Sequence, residues 1–385
     1  MRVYFDNAAT TAIAPEVIEV MTSALQNLYG NPSSIHADGR NVRSAIEAAR
    51  KTIARLIGAG IGEIFFTSGG TESNNMVLKN AGRDLGVRRF VTTAIEHHCV
   101  LHTLEALQKE ADIEVIFVKI DAKGRVDMLD LDNILRGSSA KTMVSLMHSN
   151  NEIGTMIDME KVSEMCALHG AFFHSDTVQT LGFFPIDVGK TPIHFLTGAA
   201  HKFHGPKGVG FVYINADAPL KPFIDGGSQE RNMRGGTENV AGIIGMAKAL
   251  EMAYEDLESK KLKIIELRNH LKIKLLDIFD GIEFVTDTER CEAHYKVLNV
   301  SFPPSPKAEL LLFSLDISGI SASGGSACSS GAEGGSHVLN ALGIDHKRKC
   351  IRFSFSHYNT IEEVDFLIEK LKKLTPLKMD LMPQM

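Results

Sequence analysis

Lys202 is the residue of this 385-residue chain best placed to do chemistry. The run His194-Phe195-Leu196-Thr197-Gly198-Ala199-Ala200-His201-Lys202 reads as an apolar strand ending in a cation, followed by the turn Phe203-His204-Gly205-Pro206-Lys207-Gly208. A lysine at the end of a buried strand is costly unless its charge is lost or used. A desolvated amine is a good nucleophile toward an aldehyde. About one strand–helix unit upstream, Phe172-Phe173-His174-Ser175-Asp176-Thr177-Val178-Gln179 ends another apolar strand in a carboxylate and an amide. Together these could grip a pyridine ring. Asp176 would keep the ring nitrogen protonated, making the ring an electron sink, and Gln179 would hydrogen-bond a ring oxygen.

Further polar clusters share this placement. Phe65-Phe66-Thr67-Ser68-Gly69-Gly70-Thr71-Glu72-Ser73-Asn74 passes from strand through a glycine turn into a helix. Such a helix start offers unpaired N–H groups to a phosphate, with Thr71 adding a hydroxyl; an ordinary capped turn is the alternative. In Ile95-Glu96-His97-His98-Cys99, one histidine could stack on a flat cofactor or shuttle protons, or the segment is a polar loop. Met147-His148-Ser149-Asn150-Asn151-Glu152-Ile153-Gly154 is a polar patch closing an apolar strand, and Arg234-Gly235-Gly236-Thr237 is a second phosphate-type turn. Arg352, between apolar neighbours in Cys350-Ile351-Arg352-Phe353, either clamps a carboxylate or forms a buried ion pair. Cys328 sits in a run of small polar residues from Ser321 to Ser336, a setting that suits an exposed, reactive thiol on a mobile loop.

These groups need a scaffold that brings strand ends together. Seven short apolar runs serve as strand candidates: Glu63–Thr67, Arg89–Thr93, Glu114–Ile120, Thr142–His148, Ala171–Asp176, His194–Ala199 and Gly208–Ile214. Helical patterns over Ser73–Gly82, Cys99–Glu110 and Met159–His169 lie between them. Strand–helix alternation predicts an α/β fold with a mostly parallel sheet, and ligands in such sheets bind at the carboxyl ends of the strands. A long helical stretch follows from about Val240 to Phe279, and then isolated elements over Val297–Phe302, Ala308–Leu315, His337–Leu342, Ile351–Phe355 and Ile361–Leu374. This predicts a large unit over residues 16–260 and a smaller α+β unit over 261–385 that residues 1–15 join.

Composition narrows the function class. The chain is 44% hydrophobic and 23% charged, with a net charge of −6. Mild acidity argues against a nucleic-acid or anionic-membrane partner. No apolar run reaches transmembrane length, and Met1–Asn7 lacks the apolar core of a secretory signal, so the cytoplasm is the expected compartment. Five widely spaced cysteines without a Cys-x-x-Cys pair predict no metal site and no disulfide framework. Cys166 fits a buried helix position and Cys350 a buried strand position, while Cys291 has no assigned role.

Taken together and in order, these motifs resemble the cysteine desulfurases of the NifS/IscS type, within the class-V, fold-type-I pyridoxal-phosphate enzymes. Tyr4-Phe5-Asp6-Asn7-Ala8-Ala9-Thr10-Thr11, Gly30-Asn31-Pro32-Ser33-Ser34-Ile35-His36, Asn150-Asn151-Glu152-Ile153-Gly154 and Gly325-Ser326-Ala327-Cys328-Ser329-Ser330 complete the match. The resemblance implies a fold-type-I transferase with a seven-stranded, mostly parallel sheet and pyridoxal 5′-phosphate as cofactor. It implies Lys202 as the Schiff-base lysine, Asp176 at the pyridine nitrogen, Gln179 at the ring hydroxyl and His97 stacked on the ring. Gly70, Thr71 and His201 would hold the phosphate, with Thr237 reaching in from the second subunit of a homodimer. Asn151 would lie beside the cofactor and place substrate, Arg352 would bind the carboxylate of L-cysteine, and Cys328 would accept sulfur as a persulfide for an iron–sulfur scaffold or another acceptor protein. A selenocysteine lyase or an aminotransferase of the same fold is the alternative, as is a non-catalytic sulfur-carrier scaffold. Three departures stand out. Ala199 occupies a position where many relatives carry a phosphate-binding serine, Ala332-Glu333-Gly334-Gly335 replaces a common Leu-Glu-Pro sequence, and Thr177-Val178 differs from the usual small pair.

Overall fold

The computed structural model describes residues 2–289, 293–324, 335–375 and 377. Its strands are β1 (Val3–Tyr4), β2 (Ile64–Thr67), β3 (Arg89–Thr92), β4 (Glu114–Phe117), β5 (Thr142–Ser145), β6 (Phe172–Asp176), β7 (Phe195–Ala199), β8 (Gly210–Ile214), β9 (Glu283–Phe284), β10 (Val297–Phe302), β11 (Ile320–Ser321) and β12 (Lys349–Ser354). All seven expected strands of the large unit form, each trimmed at one or both ends, and they make one sheet in the order β2-β8-β7-β6-β5-β3-β4. The pairings among β4, β3, β5, β6 and β7 are parallel, whereas β8 runs antiparallel to both β2 and β7.

Alternation along each strand explains why helices cover both faces. Phe66, Val91, Val144, Phe173, Leu196 and Phe211 enter one core. Their neighbours Phe65, Phe90, Met143, Phe195 and Val212 enter another. The second core is closed by α3 (Gly70–Asp84) and α4 (His98–Glu110), which pack on each other and supply Met76, Val77, Ala81, Val100 and Leu104. The first is closed by α1 (Pro15–Asn27), α2 (Ala37–Leu56), α5 (Met128–Arg136), α6 (Met159–Leu168) and, after the short α7 (Gln229–Asn232), by α8 (Val240–Tyr254). The strand–helix alternation does not reveal α1 and α2, because both precede the first strand of the sheet.

The long helical pattern over 240–279 is two helices. α8 ends at Tyr254, Asp256 takes a left-handed conformation at φ +50°, and α9 (Leu257–Ile278) departs on a new axis. In the C-terminal third, β12, β10 and β9 form an antiparallel sheet, with α10 (Pro306–Glu309), α11 (Leu311–Ile317), α12 (His337–Ala341) and α13 (Ile361–Leu374) around it. The expected element over Ala308–Leu315 is broken at Leu310 into α10 and α11. At the N-terminus, β1 pairs in parallel with β11, and Asp6 bridges to Ser354. No helix among the described residues is long and apolar enough to cross a membrane.

Candidate active site

A cavity of about 280 Å3 opens at the carboxyl ends of β3, β5, β6 and β7, and its lining includes nine predicted residues: Gly70, Thr71, His97, Asn151, Asp176, Gln179, His201, Lys202 and Arg352. That volume is near the lower end of small-ligand sites, roughly 300–1,000 Å3. Thr237 does not line it. It is exposed at a separate cavity shared with Ser68, Gly208 and Glu238. Cys328 and Cys291 lie outside the described residues. Another cavity, of about 230 Å3 and lined by Phe183, Phe203, Met252, Ile264 and Tyr295 among others, holds none of the predicted site residues.

Lys202 closes the short 3-10 turn Ala200–Lys202 that follows β7. Its Nζ donates to the carbonyls of Ala8 at 2.7 Å and Ala9 at 2.8 Å. Gln179 Nε2 donates to the same Ala8 oxygen at 3.0 Å, which leaves Gln179 Oε1 buried without a partner among the described residues. Asp176 ends β6. Its Oδ1 accepts from the Val178 amide at 2.9 Å and its Oδ2 accepts from Asn74 Nδ2 at 2.7 Å. A carboxylate so tied keeps a fixed direction, as a charge aimed at one ligand atom requires.

The glycine turn does what a phosphate site needs. Gly70 opens α3, where the first N–H groups have no partner within the helix. A Cβ on Gly70 would come within 2.8 Å of Val178 Cγ2, so only glycine lets the helix start approach the strand ends this closely. His201 adds a ring whose Nδ1 lies 3.2 Å from the Thr10 hydroxyl. Burial, helped by Lys202, pushes its pKa down to about 3, so the imidazole is neutral. Ala199 is buried at the edge of the same cavity, with no side-chain donor to offer.

His97 caps α4 by accepting from the Cys99 amide at 3.2 Å, and its Nδ1 lies 3.0 Å from Cys99 Sγ. Burial lowers its pKa, against the opposing pull of Asp176. Cys99 also lines the cavity, but burial, with Asp176 next, pushes its thiol up to about 12. Burial does the same to Cys166, to about 12, and raises Cys350. None of these three is a thiolate at neutral pH. Arg352, on β12, is 1% exposed. It donates to the Asn151 carbonyl and to Asp6 Oδ1, both at 2.7 Å, and its Nε is buried without a partner among the described residues. The ion pair and the cavity position therefore coexist.

The donor set suits a phosphorylated pyridine aldehyde. The cavity holds an amine for the aldehyde, a fixed carboxylate for the ring nitrogen, an unpartnered amide oxygen beside it and a helix start for the phosphate. Among the described residues no cluster of three or more His, Cys, Asp or Glu side chains could hold a metal ion. Four contributors escape sequence reasoning. Asn74 stands one helical turn after Gly70, a spacing that would have aimed it at the same place. Asp6 and the Ala8 and Ala9 carbonyls carry no local signal, because only the tertiary fold brings the N-terminus to β7 and β12.

Comparison with known proteins agrees with this geometry. The chain is 40% identical to a cysteine desulfurase IscS of Dictyoglomus turgidum over a 393-residue alignment covering 98% of this chain and 97% of the relative. It is 40% identical to one from Methanosarcina thermophila, covering 97% and 94%. Among solved structures, a NifS-like protein superposes with a TM-score of 0.89 at 37% identity, covering 97% of this chain and 99% of the other. SspA in complex with cysteine superposes with a TM-score of 0.80 at 29% identity, covering 94% and 100%. The family model described as aminotransferase class-V matches residues 3–367, and the chain belongs to that family.

Proposed function

We propose that this chain is a pyridoxal-phosphate-dependent L-cysteine desulfurase that converts cysteine to alanine and carries the sulfur away as an enzyme persulfide. The observation that carries the reading is the meeting of Lys202, Asp176, Gln179 and Arg352 in one cavity, in a chain of which full-length relatives are named cysteine desulfurases.

When bound, pyridoxal phosphate supplies an aldehyde that captures amines and a ring that stores negative charge. The protein does the rest. Gly70, Thr71 and His201 would hold the phosphate, and Thr237 of a second copy would complete that grip in a homodimer. Asp176, fixed by Asn74, would hold a proton at the ring nitrogen, Gln179 would fix the ring oxygen and His97 would lie against the ring face. Arg352 and Asn151 orient the substrate carboxylate. Lys202 Nζ would hold the aldehyde in the absence of substrate and, once freed, would take the α-proton. The Cys328 thiolate would attack the substrate sulfur: an S–S bond forms, the C–S bond breaks with its electron pair left on carbon, and protonation there, with the α-proton returned to Cα by Lys202, gives alanine. The persulfide then passes to an iron–sulfur scaffold or another acceptor protein. The division into residues 16–260 and 1–15 with 261–385, and a cytoplasmic location, belong to the same reading.

Quantifying alanine and sulfide released from L-cysteine by the full chain loaded with pyridoxal phosphate tests the proposal. Stoichiometric release of both is expected. Transamination of cysteine, or turnover of selenocysteine alone, would overturn it.

A further inference from the structure

Lys296 is 0% exposed and has no carboxylate partner among the described residues. Burial, with Lys202 and Arg352 adding to it, pushes its pKa well below the usual lysine range. A buried amine without an acid costs stability, so its surroundings should show what it is kept for. Its Nζ sits 3.8 Å from the centre of the Phe183 ring and 3.4 Å from the Gln179 carbonyl. The same carbonyl accepts from His294 Nε2 at 2.8 Å, and Tyr295 hydroxyl donates to the Phe183 carbonyl at 2.7 Å. Three consecutive residues, 294–296, thus grip the turn from Gln179 to Phe183. That turn carries the amide whose Oε1 is buried without a partner among the described residues. From the pocket side, Gln179 is held by a single bond to the Ala8 carbonyl.

We propose that Lys296 is a positioning residue that, together with His294, fixes the Gln179 backbone from behind the cavity so that the Gln179 amide meets a bound ring oxygen in one orientation. Lys296 touches neither cofactor nor substrate in this account. Its amine meets the Phe183 ring and the carbonyl of Gln179, both in the turn that bears the amide. Because the amine is retained against a burial cost, its replacement by an apolar side chain of similar length separates the two effects: the fold gains and the site loses. The inference rests on the reading of the cavity as a pyridoxal-phosphate site, but not on the substrate or on Cys328.

The test is a double-mutant cycle on the full chain, read by titrating cofactor-free protein with pyridoxal phosphate and by thermal unfolding of the cofactor-free form. Lys296→Met is expected to keep or raise the unfolding midpoint, by about 2–4 °C where it rises. It is also expected to weaken pyridoxal-phosphate binding about tenfold and to shift the bound absorption band, both in the direction expected of Gln179→Ala. Combining the two should weaken binding no more than Gln179→Ala alone, because both act through one amide. Additive losses, or unchanged binding and absorption in Lys296→Met, would overturn the proposal while leaving the cofactor site standing. A lowered unfolding midpoint that accounts for the binding loss would make Lys296 a fold residue and overturn it likewise. Wild-type protein that takes up no pyridoxal phosphate would overturn the parent reading and this inference with it.

Discussion

The two walls of the cavity are built on different principles. The strand-end wall gathers Gly70, Thr71, His97, Asp176 and Lys202 from the carboxyl edge of one sheet. Each stands at the end of a strand or the start of the helix after it, so local sequence determines its place. The opposite wall is assembled from the N-terminal segment and β12. There Arg352 pairs with Asp6, 346 residues away in sequence, and the Ala8 and Ala9 carbonyls receive Lys202. In the proposed mechanism the first wall supplies the reacting groups, and the second holds them and the substrate in register. A site with this division should lose chemistry when the first wall is altered and lose substrate affinity when the second is.

The largest effect belongs to Lys202→Ala. Alanine production from cysteine should fall at least about a thousandfold, because no other described amine lines the cavity to move the α-proton. Pyridoxal phosphate should still bind without covalent attachment. Near-normal turnover, measured by alanine release, would remove the strand-end wall from the chemistry.

Asp176→Asn comes next. Without the carboxylate the ring nitrogen loses its proton partner, and kcat should drop about a hundredfold with a shifted cofactor absorption. Asn74→Ala should move both readouts in the same direction by a smaller factor, since it only frees Asp176 Oδ2. Activity of Asp176→Asn within a few-fold of wild type would make Asp176 a structural residue.

Asp6→Asn probes the other wall. Arg352 loses its anion and its fixed direction, so KM for cysteine should rise about tenfold while kcat changes by less than about threefold. The unfolding midpoint should also fall, because a buried guanidinium is left without its counter-charge. A loss in kcat as large as that of Asp176→Asn would erase the distinction between the walls.

These contrasts also explain what the sequence discloses. The seven strands, α3 and α4, and the residues at their ends follow from short apolar runs and helical patterns that each strand or helix carries within itself. The split of 240–279 at Asp256 is hidden because no glycine or proline marks it; only the backbone conformation shows the break. The Asp6–Arg352 pair and the Ala8 carbonyl are invisible for a deeper reason. They are products of chain return, and no spacing within the sequence encodes which distant strand the first residues will meet. Thr237 shows the reverse case: its turn is legible as phosphate-type, yet it lies outside the cavity of its own chain.

The smallest effect is on stability against pH, and it arises from groups buried beneath the strand-end wall. Burial holds His174 at about 3 and His148 at about 4, below the ordinary 6.5. The unfolded chain therefore binds more protons below pH 6.5, and stability should fall as pH drops from there toward 4. Glu96 has the opposite sign. Burial, with Asp176 adding to it, pushes it up from 4.5 to about 8. Its contribution is full below about 4.5 and is lost as pH rises through 8. Thermal unfolding of the cofactor-free chain across this range should show a maximum between the two limbs. Glu96→Gln should flatten the alkaline side and leave the acid side in place; an unchanged alkaline side would mean that Glu96 is ionised in the folded protein.

The most direct test of the desulfurase assignment is mass spectrometry of the full chain, loaded with pyridoxal phosphate, after brief exposure to L-cysteine. The account predicts a mass increase of one sulfur atom on Cys328, and none on Cys99, Cys166 or Cys350, whose thiols burial keeps protonated, nor on Cys291. A sulfur adduct on another cysteine, or alanine release with Cys328 unmodified and its serine variant fully active, would contradict it.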